Sequence, residues 1–197
     1  MPLWEGVLVQ TSFVGMGLGL AVALPSYMRR RWPVAFAAPV TDRPVRYVGG
    51  VAALAAAVGL VWLYWAVGGA WGIAHAERGD TSWHILTGVG AAWALAGAIG
   101  LWMMRRVTRP SPPVWLPVVL VWLGSGSLFS WSGWKLPLML HAYHSRPDEI
   151  TFPENIVGAS ALHVCAVAAG LAMMRVLVRN VGRGSARGLV PHRKDPC

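Results

Sequence analysis

The sequence predicts an all-α membrane protein: a polytopic bundle of five transmembrane helices with its N-terminus outside and its C-terminus in the cytoplasm. Of the 197 residues, 55% are hydrophobic and only 13% are charged, against about 25% charged in ordinary soluble domains. Several stretches longer than about 18 residues carry almost no charge, which is typical of membrane-spanning helices. We therefore expect a multi-pass protein of the cell (plasma) membrane, with a membrane domain over residues 1–180 and a flexible basic tail over residues 181–197.

The residues at the ends of the expected spans carry recognisable signals. The first span has no basic residue before its apolar run, so we expect a retained helix rather than a signal peptide. The third stops at Arg105, and Ser-Pro-Pro then breaks the helix. A packing face on this third span is expected from small residues repeated every four positions, at Gly88, Ala92, Ala96 and Gly100. The predicted spans are, in order, residues 3–26, 48–73, 83–104, 113–135 and 155–178.

The end of the fourth span is expected at Lys135. From Pro113 to this residue a helix rises roughly 33 Å, which is a full hydrocarbon thickness. Lys135 would therefore snorkel to the far interface with its ammonium group in water. The stretch that follows, residues 136–145, is expected to be an interfacial segment that Pro137 bends away from the span.

The orientation follows from the distribution of basic residues. With five spans, the first loop, the third loop and the C-terminal tail share one side of the membrane. All Lys and Arg residues except Arg78, Lys135 and Arg146 fall on that side. The positive-inside rule assigns it to the cytoplasm, so the net charge of +9 indicates topology and contact with membrane lipid rather than binding to nucleic acid.

Titratable side chains collect at the expected outer end of the bundle, where loops from different parts of the chain meet. Histidine transfers protons near neutral pH, and carboxylates beside it act as acids or bases. His163 differs because it lies within the last span, where it could form an interhelical hydrogen bond, transfer protons or ligate a haem axially. The candidate catalytic residues are Glu5, His75, Glu77, Asp80, His84, Glu154 and His163.

A metal site is a further alternative. His141 and His144 are three residues apart, so on a helix they share a face and could bind a metal ion together. The sequence has no zinc-protease, serine-hydrolase or phosphate-loop motif, and it assigns no cofactor. An ion-coupled transporter is disfavoured, because no Asp, Glu, Lys or Arg lies near the middle of an expected span.

The tryptophans within the spans have two interpretations. We expect them to face lipid, because periodicity gives no reason to turn them inward. If they lined one cavity instead, their π faces would stabilise a cationic intermediate of the kind a terpene cyclase handles. The residues concerned are Trp62, Trp65, Trp93 and Trp122.

The run from Tyr64 to Gly72, YWAVGGAWG, resembles a stretch of uncharacterised small multi-pass membrane proteins of high-GC actinobacteria. A later region around Ser132-Gly133 and Leu136-Pro137 is loosely similar too. The resemblance covers only part of the chain. It implies a bacterial plasma membrane and implies nothing about catalysis.

Three hypotheses about function remain open from the sequence. One is an acid–base enzyme, isomerase or terpene-cyclase-like, that acts on a lipidic or isoprenoid substrate at the outer leaflet. Another is a non-catalytic membrane subunit or sensor whose outer charges bind a partner protein and whose basic tail lies on anionic lipid. A metal- or haem-binding protein is the third. Outer groups that point separately into solvent favour the subunit, and groups that converge in an apolar interior favour the enzyme.

Overall fold

Four long helices form the part of the chain that the computed structural model describes, which is residues 47–106, 115–145 and 152–188 with Ala23, Ser26, Tyr27, Arg30 and Arg31. The described part of the chain contains no β-strand, which confirms the all-α prediction, and each of its four helices has the length and apolar composition of a membrane span. The predicted first span lies almost wholly outside the described residues. The helices are α1 (Val48–Ala66), α2 (Thr81–Arg106), α3 (Trp115–Ser145) and α4 (Ile156–Gly188), and a short 3-10 turn covers Ala76–Arg78.

The helices run up and down in the order of the chain. Each contacts the next, and α4 also contacts α1, so the four form a closed bundle. A single antiparallel bridge between Ile73 and Glu154 joins the α1–α2 connection to the segment before α4. These two connecting segments, residues 67–80 and 152–155, form what we call the loop end. At the opposite, basic end, Arg179 donates from Nη1 to the Tyr47 hydroxyl oxygen over 2.9 Å.

Small residues let α2 and α3 approach closely. A Cβ atom on Gly124 would lie 2.7 Å from the Cα of Gly97 and 2.8 Å from the Trp93 carbonyl oxygen, so no side chain fits there. The predicted packing face of α2 is wrong in part, since Ala92 is exposed. A spacing of four residues advances by about 40° more than a full turn at each step, so it drifts around the helix. The small residues that α2 buries are Gly90, Ala91, Ala94, Gly97, Ala98 and Gly100.

Helix α3 continues through Pro137 to Ser145, so the prediction that the chain leaves the span at this proline is wrong. Proline removes one helical hydrogen bond, and tertiary contacts offset that loss. Met139, in the turn after the proline, is fully buried, and its Sδ accepts a hydrogen bond from the Ser160 hydroxyl of α4 at 3.7 Å. Helix α4 likewise runs on to Gly188, into the residues expected to form the basic tail.

Candidate functional site

The loop end is built by the turn that follows α1. Helix α1 ends at Ala66 rather than near residue 73, because Gly68 and Gly72 adopt φ values of 93° and 80° that favour glycine. The turn then pairs with the segment before α4. Backbone N–H groups of Ala74 and His75 donate to the Pro153 carbonyl at 2.8 and 3.0 Å. This pairing fixes the next residue, Glu154, with its side chain turned into the bundle.

Glu154 and Lys135 form a buried ion pair. The Lys135 Nζ atom lies 2.7 Å from Glu154 Oε1, and the two side chains are only 5% and 1% exposed. Trp83 donates to the same carboxylate oxygen from Nε1 at 3.1 Å. The ammonium group also lies 5.3 Å from the centre of the Trp131 ring, within cation–π range. The expectation that Lys135 snorkels into water is therefore wrong, because its partner arrives from a segment 19 residues further along the chain.

A second polar pair lies on the same face of α3. Ser132, three residues before Lys135, has its Oγ atom 2.9 Å from Nδ1 of His163, and both residues are fully buried. The ring centres of His163 and Trp62 are 5.6 Å apart, so α1 and α4 meet beside the imidazole. Of the roles considered for His163, the interhelical hydrogen bond is present. The charged groups of Lys135 and Glu154 also interact electrostatically with the His163 imidazole, which connects the two polar pairs.

These groups form one interior polar cluster, which we define as Trp83, Ser132, Lys135, Glu154 and His163. The buried Thr87 lies one helical turn after Trp83 on the same face of α2. Within the described parts of the chain, the buried polar side-chain atoms that lack a hydrogen-bond partner are Glu154 Oε2 and His163 Nε2 of the cluster and Thr87 Oγ1 beside Trp83 on α2. Leaving such an atom unpaired costs about 1–3 kcal/mol, so the unpaired atoms of Glu154 and His163 are positions where water or a ligand would be bound. The cluster offers a carboxylate oxygen, an imidazole nitrogen and a hydroxyl inside an apolar bundle.

Two predicted site residues lie in solvent at the loop end. His75 and Glu77 are both exposed, and the Nδ1 and Oε1 atoms of the two side chains are 3.3 Å apart. Neither side chain belongs to the interior polar cluster. Glu5, a further candidate, lies outside the described residues.

Two more candidates hold the start of α2 in place. Asp80 accepts a hydrogen bond at Oδ1 from the backbone N–H of Trp83 at 2.8 Å, the contact by which a capping residue stabilises a helix N-terminus. His84 is half-buried, and its Nδ1 atom lies 3.2 Å from the carbonyl oxygen of Ala66 at the end of α1. These contacts give both residues a structural role, and both residues contact Trp83, which donates to Glu154.

The predicted metal ligands lie near the end of α3. His141 and His144 are exposed, and the Nδ1 atom of His144 lies 2.9 Å from the Leu140 carbonyl oxygen in the same helix. In the described ranges, no three His, Cys, Asp or Glu side chains come together as ligands of a metal ion. A metal at this position would therefore depend on these two histidines and on groups from outside the described ranges.

The tryptophans divide between interior and surface. Trp62 and Trp65 are 1% and 4% exposed, so the expectation that they face lipid is wrong for both. Trp93 and Trp122 are 38% and 40% exposed and point away from the core, as expected. The four rings therefore do not line one cavity.

Sequence reasoning missed most of the interior polar cluster. Ser132 and Lys135 carried a usable signal, because polar residues three apart in an apolar helix share one face. Thr87 and Trp83 lie four apart near the start of α2 and form the same kind of pair. No local pattern could show that these two faces meet around Glu154.

Comparison with known protein families, with curated proteins and with solved structures found no match to this chain. The geometry of the site therefore carries the functional argument by itself.

Proposed function

We propose that this chain is a bacterial plasma-membrane protein with five spans, its N-terminus outside and its C-terminus in the cytoplasm. The described basic side chains support the orientation, since those of α2 and α4 lie at the end opposite the paired loops. The residues are Arg105, Arg106, Arg175 and Arg179. A reporter fused to the C-terminus should be active in the cytoplasm, and activity in the periplasm would reverse the orientation.

We further propose that it is an acid–base enzyme that acts on a lipidic, isoprenoid-type substrate entering from the outer leaflet. The observation that carries this proposal is the interior polar cluster. Glu154 Oε2 and His163 Nε2 are buried and unpartnered, and each can take up or release a proton. The other atoms of these two groups are held by Lys135, Trp83 and Ser132, which fixes their orientation.

Isomerisation is the reaction that this equipment can complete alone. With Nδ1–H donating to Ser132 Oγ, the His163 Nε2 lone pair removes a proton from a substrate carbon and returns it to another carbon. The double-bond electrons shift between the two carbons, so no oxidant or co-reactant is needed. Glu154 stabilises the transient imidazolium. The substrate carbon must lie beside a carbonyl group, because a C–H next to a carbonyl is acidic enough for imidazole to remove its proton. The terpene-cyclase variant has less support, because Trp93 and Trp122 point outward.

Deuterium exchange tests the proposed enzyme. The protein is reconstituted in nanodiscs made from a bacterial lipid extract and incubated in deuterated buffer, and the lipids are then analysed by mass spectrometry. One lipid class should gain deuterium on carbon, and His163→Gln should slow the gain about 100-fold or more. Glu77→Gln, which alters an exposed carboxylate, should leave the rate unchanged. If no lipid gains deuterium faster than in protein-free nanodiscs, the enzyme proposal is wrong.

The second candidate is a non-catalytic membrane subunit whose loop end binds a partner protein. It is supported by Trp71, whose side chain is 74% exposed at the loop end beside the exposed pair of His75 and Glu77. A photoreactive amino acid at position 71 should then cross-link one discrete protein in cells. The metal-binding alternative rests on His141 and His144, and the haem-binding one on His163 as an axial ligand. A visible absorption spectrum with elemental analysis of the purified protein tests both.

A further inference from the structure

The turn that follows α1 is apolar and strongly exposed. Residues 67–73, VGGAWGI, contain no charged, hydroxyl or amide side chain. Val67 and Trp71 on this turn are the two most exposed large apolar residues in the described parts of the chain. An apolar patch that is left open on a surface marks a place where a protein or a membrane binds.

The exposed side chains of the turn continue a row that begins on α1. Leu60, Tyr64 and Val67 are exposed and lie four and three residues apart, so they share one face of the helix. Trp71 follows directly on this row, because its backbone N–H donates to the Tyr64 hydroxyl oxygen at 3.3 Å. Helix α1 has the length and composition of a membrane span, and such a helix turns its exposed apolar face toward lipid. The surface that reaches Trp71 is therefore continuous with a lipid-facing one.

Side chains of α1 hold the backbone of Trp71 on both sides. Trp65 donates from Nε1 to the Trp71 carbonyl oxygen at 2.8 Å, in addition to the contact of Tyr64 with the Trp71 N–H. Gly69 packs so closely against the Tyr64 ring that a Cβ atom at this position has no room. The run from Tyr64 to Gly72 is therefore a folded turn that presents the Trp71 side chain from a fixed backbone.

The same turn holds the segment that carries Glu154. The Gly72 carbonyl oxygen accepts a hydrogen bond from the Asn155 N–H at 2.9 Å, next to the bridge between Ile73 and Glu154. The turn and this segment therefore move as one unit at the loop end. The depth at which the turn lies in a membrane fixes where the Glu154 segment enters the bundle.

We propose that the turn over residues 67–72 lies in the membrane–water interface at the loop end, with the Trp71 ring among the lipid head groups. An indole suits this position, because its apolar body packs on the upper acyl chains while its N–H stays in contact with water and head groups. Lipid is the occupant, since the exposed row of α1 leads into the turn without a charged residue. The proposal depends on the chain spanning a membrane and is independent of the orientation and of the enzyme proposal. A partner protein on Trp71, the second candidate function, is the alternative occupant that the experiment distinguishes.

Fluorine NMR of the fluorotryptophan-labelled protein in nanodiscs measures where the Trp71 ring lies. Its signal is assigned by its loss in Trp71→Phe, and its broadening is compared for a lipid with a head-group nitroxide, a lipid with a chain-end nitroxide and a gadolinium chelate in water. The head-group nitroxide should broaden the Trp71 signal most. Trp93, exposed in the middle of α2, should respond most to the chain-end nitroxide, and the buried Trp62 should respond least to all three probes. A Trp71 signal that responds mainly to the chelate would leave the ring in water for a partner protein, and protection from all three probes would indicate cover by a second copy. Either result would overturn the proposal.

Gly69→Ala tests whether the folded turn holds the ring at this depth. The added methyl group meets the Tyr64 ring, so the contact of Tyr64 with the Trp71 N–H is lost. A released ring samples water as well as lipid, so broadening of the Trp71 signal by the chelate should rise several-fold. Gly126→Ala, whose new atom has nothing within 4 Å, is the matched control and should leave the Trp71 signal unchanged. The Trp62 signal should stay protected in both variants, which shows that the bundle is intact. An unchanged Trp71 signal in Gly69→Ala would show that the turn does not position the ring and would contradict the proposal.

Discussion

Glu154 and Glu77 are carboxylates at the same end of the bundle, and they occupy opposite environments. The Glu154 side chain is 1% exposed and pairs with Lys135, whereas the Glu77 side chain is 69% exposed and lies 3.3 Å from His75. Both residues sit in connecting segments next to long apolar helices. The difference arises because the bridge to Ile73 turns the Glu154 segment into the bundle. Residue type and position along the chain therefore do not decide which carboxylate can serve a buried site.

The two environments also differ in how much a substitution should lower the free energy of unfolding. A buried ion pair that loses one partner leaves an uncompensated charge away from water, and the penalty is several kcal/mol. An exposed pair such as His75 and Glu77 is screened by solvent, and its loss changes little. Stability measurements on matched variants can therefore test the division between interior and surface directly.

The largest effect is expected from Lys135→Met. It leaves the Glu154 carboxylate buried without its cation and should lower the free energy of unfolding in detergent by about 3–5 kcal/mol. Glu77→Gln, the surface counterpart, should change it by less than about 0.5 kcal/mol. Adding Glu154→Leu to Lys135→Met should recover much of the loss, because no charge then remains. Equal effects of the two single substitutions would show that the pair is not buried.

Gly124→Ala and Gly126→Ala compare a buried packing position with an open one on the same helix. An added methyl group would meet the backbone of Gly97 and Trp93, which cannot move aside as a flexible side chain can. We expect a loss of about 1–3 kcal/mol. Gly126→Ala lies on the same helix with nothing within 4 Å of the new atom, so it should be neutral or stabilising by about 0.5–1 kcal/mol. Chemical unfolding of both variants in one detergent measures the difference, and a harmless Gly124→Ala would disprove the close contact of α2 with α3.

Ser132→Ala compares a buried histidine with an exposed one. The substitution removes the hydrogen-bond partner of His163 Nδ1 and should cost about 1–3 kcal/mol, because the nitrogen is left buried and unpaired. His144→Gln changes an exposed ring on the same helix and should cost less than about 0.5 kcal/mol. The ring nitrogen chemical shifts of His163 should change in Ser132→Ala. Unchanged shifts would mean that the hydrogen bond is not formed in solution.

The smallest effect is expected from Asp80→Ala. The change removes the cap of α2 and should cost about 1 kcal/mol, in the range for N-terminal caps. Asp80→Asn should retain most of the stability, since the amide oxygen can accept the same hydrogen bond from Trp83. Thermal unfolding of both variants distinguishes a capping role from a catalytic one. A fully stable Asp80→Ala would show that Asp80 does not stabilise the N-terminus of α2.

Much of the architecture was accessible to sequence reasoning, and the site was accessible only in part. The four described helices follow from apolar length, and Arg105 ends its span near the predicted position. His163 is a candidate because ionisable groups within a span are rare, and Glu154 is one because it is among the acids at the expected outer end. Their partners were not identified, because Ser132 and Lys135 lie 31 and 19 residues away in the chain and no local spacing connects them.

The sequence by itself determined four helices with the length and apolar composition of membrane spans, because each is a long run of apolar residues with almost no charge. It did not show where α1 ends, since the predicted span continues to residue 73 whereas the helix stops at Ala66, before the positive φ of Gly68 and Gly72. Only the tertiary structure decided which polar side chains are interior. Lys135 could equally well have reached water or Glu154, and the bridge at Ile73 placed the carboxylate within reach. Burial of a charge depends on a partner arriving from elsewhere in the chain, and that is a property of the packed bundle.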